Sequence, residues 1–486
     1  MPDGAAPPGD RLRAAYDPER FRRAAHRAAD LAADYLAQAT GRDPALPVLP
    51  WTPPEAAASA WPSAFSDPPQ VELDALLARV LAESTHLHHP RHTGHQVPPP
   101  LPVTAATDLV AGLLNNSLAI YEMGPAGAMI ERAVIQWLAD AIGYGPAAGG
   151  VITSGGSLGN LTALLAARQA GAGFDAWTEG TAGAPLAVLV SEQAHYCVGR
   201  AAQVMGWGRG GVVTVPVDGQ LRLRADALPE AAARAEAAGR RVVAVVASAC
   251  GTAAGTYDPL EAMADFCAAR GLWFHVDGAH GAAAALSDRY RHLVAGIERA
   301  DSVVWDAHKM LLTPSLTTAV LYRDGRRADD AFAQDASYLY ERSAREEWYN
   351  LSHRTLECTK PMAALRLYAA LAVHGPGLFS DFVTSTFDLA RDFAARVAAA
   401  PDFTVPHDPE SNIVCFRYRT ADTLAAGVDA LQSRVRRRLI AGGAFYVSQV
   451  RLPTGLHLRV TLMNPLTTAG DLDALIEAVR AAGVDG

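Results

Sequence analysis

An α/β chain built on a mostly parallel sheet is what three observations predict. Between Val151 and Tyr322, short apolar and β-branched runs alternate with helical stretches, the pattern of strand–crossover–strand units. A glycine-rich turn, Thr153-Ser154-Gly155-Gly156-Ser157, leads straight into Leu161 to Arg168, a strong helix former. Beside two later apolar strands stand an aspartate, Asp277, and a lysine, Lys309, among apolar and small residues. A chain of 486 residues exceeds what one core usually contains. Three parts are expected: an N-terminal helical and proline-rich arm over 1–105, a large domain over 106–360 and a small C-terminal α+β domain over 361–486.

In chain order, Met1 to Asp10 is rich in Pro, Gly and Ala and has the composition of a disordered segment. Phe21, Ala25, Ala28, Leu31, Tyr35 and Leu36 recur with helical period and predict a docking helix. The prolines of Pro44 to Pro69 forbid a continuous helix, so this stretch reads as an arm laid over another surface through Trp51, Trp61 and Phe65. Helical period returns over Val71–Ser84, Leu109–Ile120 and Ile130–Ile142. Strands are predicted at Leu186–Val190, Val212–Pro216, Val242–Ser248, Leu272–Asp277, Ser302–Trp305 and Leu316–Tyr322. After Pro361 a helix leads into the small domain, with strands at Ile413–Tyr418 and Leu456–Leu462 and helices at Asp422–Ile440 and Ala469–Ala482.

Composition narrows the function classes. Half of the residues are hydrophobic and the formal net charge is -9, which argues against a nucleic-acid partner, since that needs a concentrated basic face. The main basic run, Arg434, Arg436, Arg437 and Arg438, reads as a solvated helix face. The five cysteines are scattered without CxxC spacing and read as reduced thiols of a cytoplasmic protein. The first residues carry no apolar segment typical of a signal peptide, and no apolar run is long enough to cross a bilayer, so no membrane association is expected. His86, His88, His89, His92 and His95 cluster in HLHHPRHTGHQVPPP. Imidazoles suit zinc or copper, but Pro90 and Gly94 break the helix that would align them and no cysteine or carboxylate cluster lies alongside, so no metal is predicted.

The chemistry centres on Lys309. Held between two core strands, an amine loses hydration, which lowers its pKa and frees a neutral nucleophile for Schiff-base chemistry; the plain alternative is a lysine that snorkels to water. Asp277 ends an apolar strand, where open α/β sheets bind ligands. An aspartate there suits the protonated ring nitrogen of pyridoxal phosphate, though an isolated Asp after a strand also reads as a helix N-cap. The glycine turn opens a helix whose unpaired N–H groups favour a phosphate, which Gly156 and Ser157 would hold. It lacks the P-loop pattern.

Taken together and in order, TSGGSxxN over Thr153–Asn160, His195, the turn Ala249–Pro259 with Thr252, Asp277 and His308-Lys309 resemble the group II pyridoxal-phosphate decarboxylases, which include aromatic amino acid, glutamate and diaminobutyrate decarboxylases. Asp34-Tyr35-Leu36 adds to the match. The resemblance implies a fold-type-I enzyme that acts as a homodimer, the partner's loop completing the site. It implies pyridoxal phosphate carried on Lys309, with Asp277 at the ring nitrogen, His195 stacked on the ring, and Thr252, Ala279 and His308 beside it. The alternative for His195 is a helix cap in the core. The HPR-like segment implies His92, His95 or Gln96 near the substrate side chain. Leu458-Arg459-Val460 followed by Asn464-Pro465 implies Arg459 for a substrate carboxylate, with an internal ion pair as its alternative.

One segment, Asp335 to Lys360, departs from that family. Members carry there a mobile loop whose tyrosine protonates the carbanion left after carbon dioxide departs, and then a Gly-Arg-Arg or Gly-Arg-Lys stretch. This chain has Tyr338, Tyr340 and Tyr349, followed by Leu356-Glu357-Cys358-Thr359-Lys360. Leu351 falls about where the tyrosine would stand, with Tyr349 nearby as the candidate donor. The reaction read from the sequence is decarboxylation of an L-amino acid to an amine and carbon dioxide. Two alternatives on the same scaffold are aldehyde-forming decarboxylation with oxidative deamination, and a carbon–sulfur lyase on a conjugated amino acid. A third is a non-catalytic cofactor-binding paralogue.

Overall fold

The apolar runs form seven strands: β1 (Gly149–Thr153), β2 (Leu186–Ser191), β3 (Val212–Val215), β4 (Arg241–Ser248), β5 (Trp273–Asp277), β6 (Ser302–Asp306) and β7 (Thr318–Tyr322). In this computed structural model, residues 8–484 are described except 44, 62, 68–70, 182–183, 333–346 and 421–422. The sheet order is β1-β7-β6-β5-β4-β2-β3. Strands β2 to β6 are parallel, and β7 runs antiparallel to both β6 and β1. Strands β5, β6 and β7 are buried throughout, as expected for a sheet covered on both faces. Mostly parallel is therefore the correct reading, with an antiparallel edge.

One face is covered by helix Gly156–Gly171, whose Ala163, Leu164 and Ala167 pack with Val188, Val243, Val304 and Val320 from four strands. Its Gly159 permits that approach, because a Cβ there would come within 3.0 Å of Thr318 and 3.4 Å of Val304. The other face packs against helices Pro125–Ala141, Leu228–Ala237 and Leu260–Arg270. Leu138, Ala231 and Met263 are among the side chains buried there.

A second, four-stranded antiparallel sheet has the order β10-β11-β9-β8, from β8 (Phe403–Thr404), β9 (Ile413–Tyr418), β10 (Ser448–Leu452) and β11 (Gly455–Thr461). Helices Val428–Gly442 and Ala469–Gly483 cover it. Helix Gly377–Ala399 joins the two bodies: Phe379, Phe382 and Phe387 lie in the large core, while Phe393 and Val397 lie in the small one.

Three expectations change. The helix predicted over Leu109–Ile120 runs Pro102–Leu114 and stops at Asn115, which adopts a left-handed conformation (φ 46°), so that Leu118 can donate its N–H to the Lys360 carbonyl at 3.1 Å. The helix predicted from Asp422 starts at Val428. Strands β8 and β10 were not predicted, one being two residues long and the other an edge strand with Gln449 and Arg451 exposed. In the arm, Trp51 and Phe65 are exposed on this chain, and Trp61 donates to Glu83 at 2.8 Å while Arg79 stacks on its ring.

Candidate active site

A cavity of about 160 Å³ opens at the carboxyl ends of the parallel strands, where crossovers leave a crevice in sheets of this kind. Each strand end delivers a part of it. The turn after β1 contributes Gly156 and Ser157, β2 is followed by His195, β4 by Cys250 and Thr252, β5 ends in Asp277 followed by Ala279, and β6 ends in Asp306 followed by His308 and Lys309. Every cofactor-side residue expected from the sequence lines this one cavity.

Lys309 Nζ lies 3.0 Å from Asp306 Oδ2. The sequence reading expected burial to lower the lysine's pKa. Burial does pull in that direction, but Asp306, and Asp277 after it, more than reverse the effect, and the amine is held above the ordinary lysine value. Asp306 was not singled out from sequence, because nothing local shows that a strand's last residue meets the lysine three positions on. Burial alone would raise its carboxyl pKa; Lys309, His308 and the Thr318 hydroxyl, which donates at 2.5 Å, bring it below the ordinary value instead.

The Asp277 carboxyl is pushed up by burial, with Lys309 acting against the rise. It accepts from the Ala279 N–H at 3.2 Å and faces the Cys197 thiol at 4.0 Å. Such a carboxylate lacks a full counter-charge. His195 combines two readings that the sequence left as alternatives: it caps helix Tyr196–Val204, with Nδ1 accepting from the Cys197 N–H at 3.3 Å, and it lines the cavity. The cap leaves the neutral ring's proton on Nε2. Burial lowers the His195 pKa, with Asp277 opposing.

Beneath the glycine turn runs a directed chain of hydrogen bonds. Trp273 Nε1 donates to Ser302 Oγ at 2.9 Å, His275 bridges Ser302 Oγ (2.8 Å) and Asn160 Oδ1 (2.9 Å), and Asn160 Nδ2 donates to the Gly156 carbonyl at 2.8 Å. Donor counting fixes the tautomer: Asn160 Oδ1 can only accept, so His275 carries its proton on Nε2 and accepts from the Ser302 hydroxyl. The chain ties the first turn of helix Gly156–Gly171 to β5 and β6.

The substrate-side candidates divide. Arg459, on β11, is buried and has no carboxylate partner among the described residues. It donates to the Thr252 carbonyl at 2.8 Å and to Ser448 Oγ at 3.3 Å, and its Nε has no partner. An internal ion pair is thereby replaced by a guanidinium next to a cavity-lining residue. His95 feels Arg459 and Arg436, and Gln96 Nε2 is buried without a partner. His92 instead stacks on Tyr446 (centroids 5.2 Å, 11° between planes), and burial takes its pKa down to about 4. Tyr349 is not brought to the cavity within this chain: it packs against Tyr121 and Trp348 in a separate cleft with Arg132, Gly149 and Arg354. Its neighbours are set by the Asn350 contacts to Glu347 and Tyr121. Tyr338 and Tyr340 lie outside the described residues. No tyrosine lines the cavity among the described residues.

The residues present fit pyridoxal phosphate. A helix opens on a turn with Gly155 at φ 101°, offering free N–H groups. Asp277 needs a cationic partner, which a protonated ring nitrogen provides, and an amine stands between. His280 also lines the cavity with Nδ1 unpartnered, its Nε2 being taken by Asn412 Oδ1 at 2.7 Å.

Comparison with known proteins agrees. The family model described as the pyridoxal-dependent decarboxylase conserved domain matches residues 55–419. An L-2,4-diaminobutyrate decarboxylase of Acinetobacter baumannii is 29% identical over 429 residues, 85% of this chain and 83% of that protein. An L-aspartate decarboxylase of Metarhizium robertsii is 30% identical over 387 residues, covering 79% of this chain and 77% of its own length. Among solved structures, mouse CSAD superimposes with a TM-score of 0.89 at 25% identity, over 97% of this chain and 100% of that one.

Proposed function

The chain belongs to the pyridoxal-dependent decarboxylase family, a fold-type-I, pyridoxal-phosphate-dependent group acting on amino acids, and from that premise we propose that Lys309 is the residue to which the cofactor is joined. The carrying observation is the position of Lys309 Nζ, 3.0 Å from Asp306 in the same cavity as Asp277, Gly156 and His195. The aldehyde-forming, carbon–sulfur lyase and non-catalytic alternatives are not needed to account for these relatives.

In this reading the N–H groups of Gly156 and Ser157 hold the phosphate, Asp277 keeps the ring nitrogen protonated, and His195 covers the ring face, with Thr252, Ala279 and His308 beside it. Bound there, pyridoxal phosphate supplies an electron sink for the pair released when the substrate's carboxylate bond breaks. Arg459 orients a substrate carboxylate as a charge-assisted donor, and His95 and Gln96 face its side chain, with His92 placed one step back by its stacking on Tyr446. His195, holding its proton on Nε2, is a proton donor that this chain itself offers at the cavity. Tyr349 serves only if a second subunit brings it to a neighbouring cavity.

A homodimer is part of the proposal. Leu109, Val110, Leu113 and Leu114 present an exposed apolar row on helix Pro102–Leu114, and Phe21 and Trp51 are exposed in the arm; such a surface suits a symmetric partner. A cytoplasmic location is supported by five free thiols, four of them buried.

The test is borohydride reduction of the cofactor-loaded protein followed by peptide mapping, with carbon dioxide and amine measured across diaminobutyrate, aspartate, cysteine sulfinate and aromatic amino acids. The adduct is expected on Lys309, with amine and carbon dioxide in equal amounts. An adduct elsewhere sinks the assignment.

A further inference from the structure

We propose that Asp306 is a proton acceptor that keeps Lys309 clasped in the cofactor-free protein and discharges it when the cofactor's phosphate arrives. The inference rests on the reading of Lys309 given above. Its ground is the position of one buried carboxylate between two things that the cofactor must meet. On one side, Asp306 Oδ2 lies 3.0 Å from Lys309 Nζ. On the other, the same oxygen lies 3.0 Å from where a Cβ on Gly156 would stand, under the first residue of the helix whose free N–H groups face a phosphate. The carboxylate is enclosed, with 2% of its side chain exposed, and is fixed by the Thr318 hydroxyl at 2.5 Å, with His308 Nε2 3.6 Å away.

The titratable groups facing Lys309 come from four elements. Asp306 and His308 belong to its own strand end, Asp277 and His280 to the end of β5, His195 and Cys197 to the segment after β2, and Cys250 to the turn after β4. Asp306 is the one within hydrogen-bonding distance of Nζ. With it ionised, the amine stays an ammonium and is inert to aldehydes.

A phosphate docking on the Gly156 turn brings a second anion against Asp306, whose atoms are the ones nearest Gly156. An anion there favours protonation of both groups, but of the nearer carboxylate more than of the amine beyond it, so the proton on Nζ is shifted to Oδ2 and a neutral amine is left. That amine attacks the aldehyde carbon. The aldehyde oxygen leaves as water, carrying one hydrogen from the nitrogen and the one Asp306 received. The nitrogen keeps its third hydrogen and the positive charge in the new carbon–nitrogen double bond, and Asp306 is ionised again. No oxidant or reductant is needed. The lysine is thus unmasked by an aldehyde that carries a phosphate.

The experiment compares loading of the cofactor-free protein by pyridoxal phosphate, by pyridoxal alone, and by pyridoxal with inorganic phosphate, following the visible absorbance across pH and locating the adduct after borohydride reduction. In the unaltered protein, pyridoxal is expected to load slowly at neutral pH and to be accelerated by inorganic phosphate. In Asp306→Asn the pyridoxal profile should move to lower pH by about one unit, roughly a tenfold faster reaction at neutral pH, and inorganic phosphate should no longer accelerate it. Thr318→Val, which keeps the carboxylate but removes the hydroxyl that stabilises it, should move the profile the same way by less. If Asp306→Asn and Thr318→Val both load with the unaltered pH profile and adduct on Lys309, Asp306 has no such role. If the adduct lies on another residue, the Lys309 reading itself fails.

Discussion

The chain has two lysines among its 42 Lys and Arg residues, Lys309 and Lys360, and their surroundings set the amine proposed to carry the cofactor apart from a structural one. Both sit beside a carboxylate. Lys309 keeps 20% of its side chain exposed to the cavity, with Asp306 on one side and Asp277 beyond. Lys360 keeps 3%, pairs with Glu131, and donates to the Ile152 carbonyl at 2.8 Å, while Glu131 accepts from the Ile152 N–H at 2.9 Å. Lys360 and Glu131 thus take both backbone polar groups of one residue, Ile152, on the outer edge of β1, an edge that would otherwise be left unpaired. Burial in itself does not make a lysine reactive. What differs is whether its partner can be given something else to hold.

The comparison breaks most visibly if the two lysines are removed in turn. Lys309→Ala should abolish both the visible band of the loaded protein and carbon dioxide release, to the floor of the assay, and should also cost some stability, because Asp306 loses its cation and keeps the Thr318 hydroxyl as its hydrogen-bond donor. Lys360→Met should act on stability first: about 3–5 kcal/mol lost, since Glu131 is left charged and buried without its cation, with the visible band retained. Pairing it with Glu131→Met should restore part of that loss. Equal effects of the two single changes on both readouts would remove the distinction.

Acid offers a finer test, because buried neutral histidines surround the sheet to which both lysine sites are tied. Burial takes His275 and His92 down to about 4 and His280 to about 3. The unfolded chain takes up protons from pH 6.5 downward, whereas the native one refuses them until near pH 4. The stabilisation is therefore complete above 6.5 and lost as pH falls toward 4, by about 1.4 kcal/mol per pH unit for each histidine. Urea midpoints between pH 7 and 5 should show that slope, and His275→Gln should flatten it. The smallest effect is expected of Tyr349→Phe, within about 0.5 kcal/mol of stability and with the amine yield unchanged. A tenfold fall in amine would show that Tyr349 works in a partner's cavity.

Much of this was legible in the order of residues. Asp277 and Lys309 stand at the ends of continuous apolar runs, and the glycine turn precedes a helix former, so strand ends and cavity could be placed together. The place of Asp306 between Lys309 and Gly156 could not be read, because it depends on how β6 ends relative to the Gly156 turn, an encounter between distant segments. The expected low pKa of Lys309 failed for the same reason: desolvation is a local property, while the carboxylates that outweigh it come from β5 and β6. The Glu131–Lys360 pair carried no signal at all in sequence, and its partner atom is a backbone group.

The pairing of β1 with the late strand β7 has a consequence for how the protein is made. The glycine turn hangs from β1, and among the described residues β1 pairs with β7 alone, Val151 against Val320 and Ile152 against Ala319. A chain synthesised as far as β6 already contains the turn, His195 and Asp277 but not the strand that holds the turn in place. Helix Gly156–Gly171 can lie on the growing sheet before that, its first turn tied to β5 and β6 through Asn160 and His275, yet β1 itself waits for Thr318–Tyr322 to emerge and slot between β6 and β1. The frame of the turn is thereby completed only after the chain has passed Lys309, so that the lysine and the turn take their places in the sheet together.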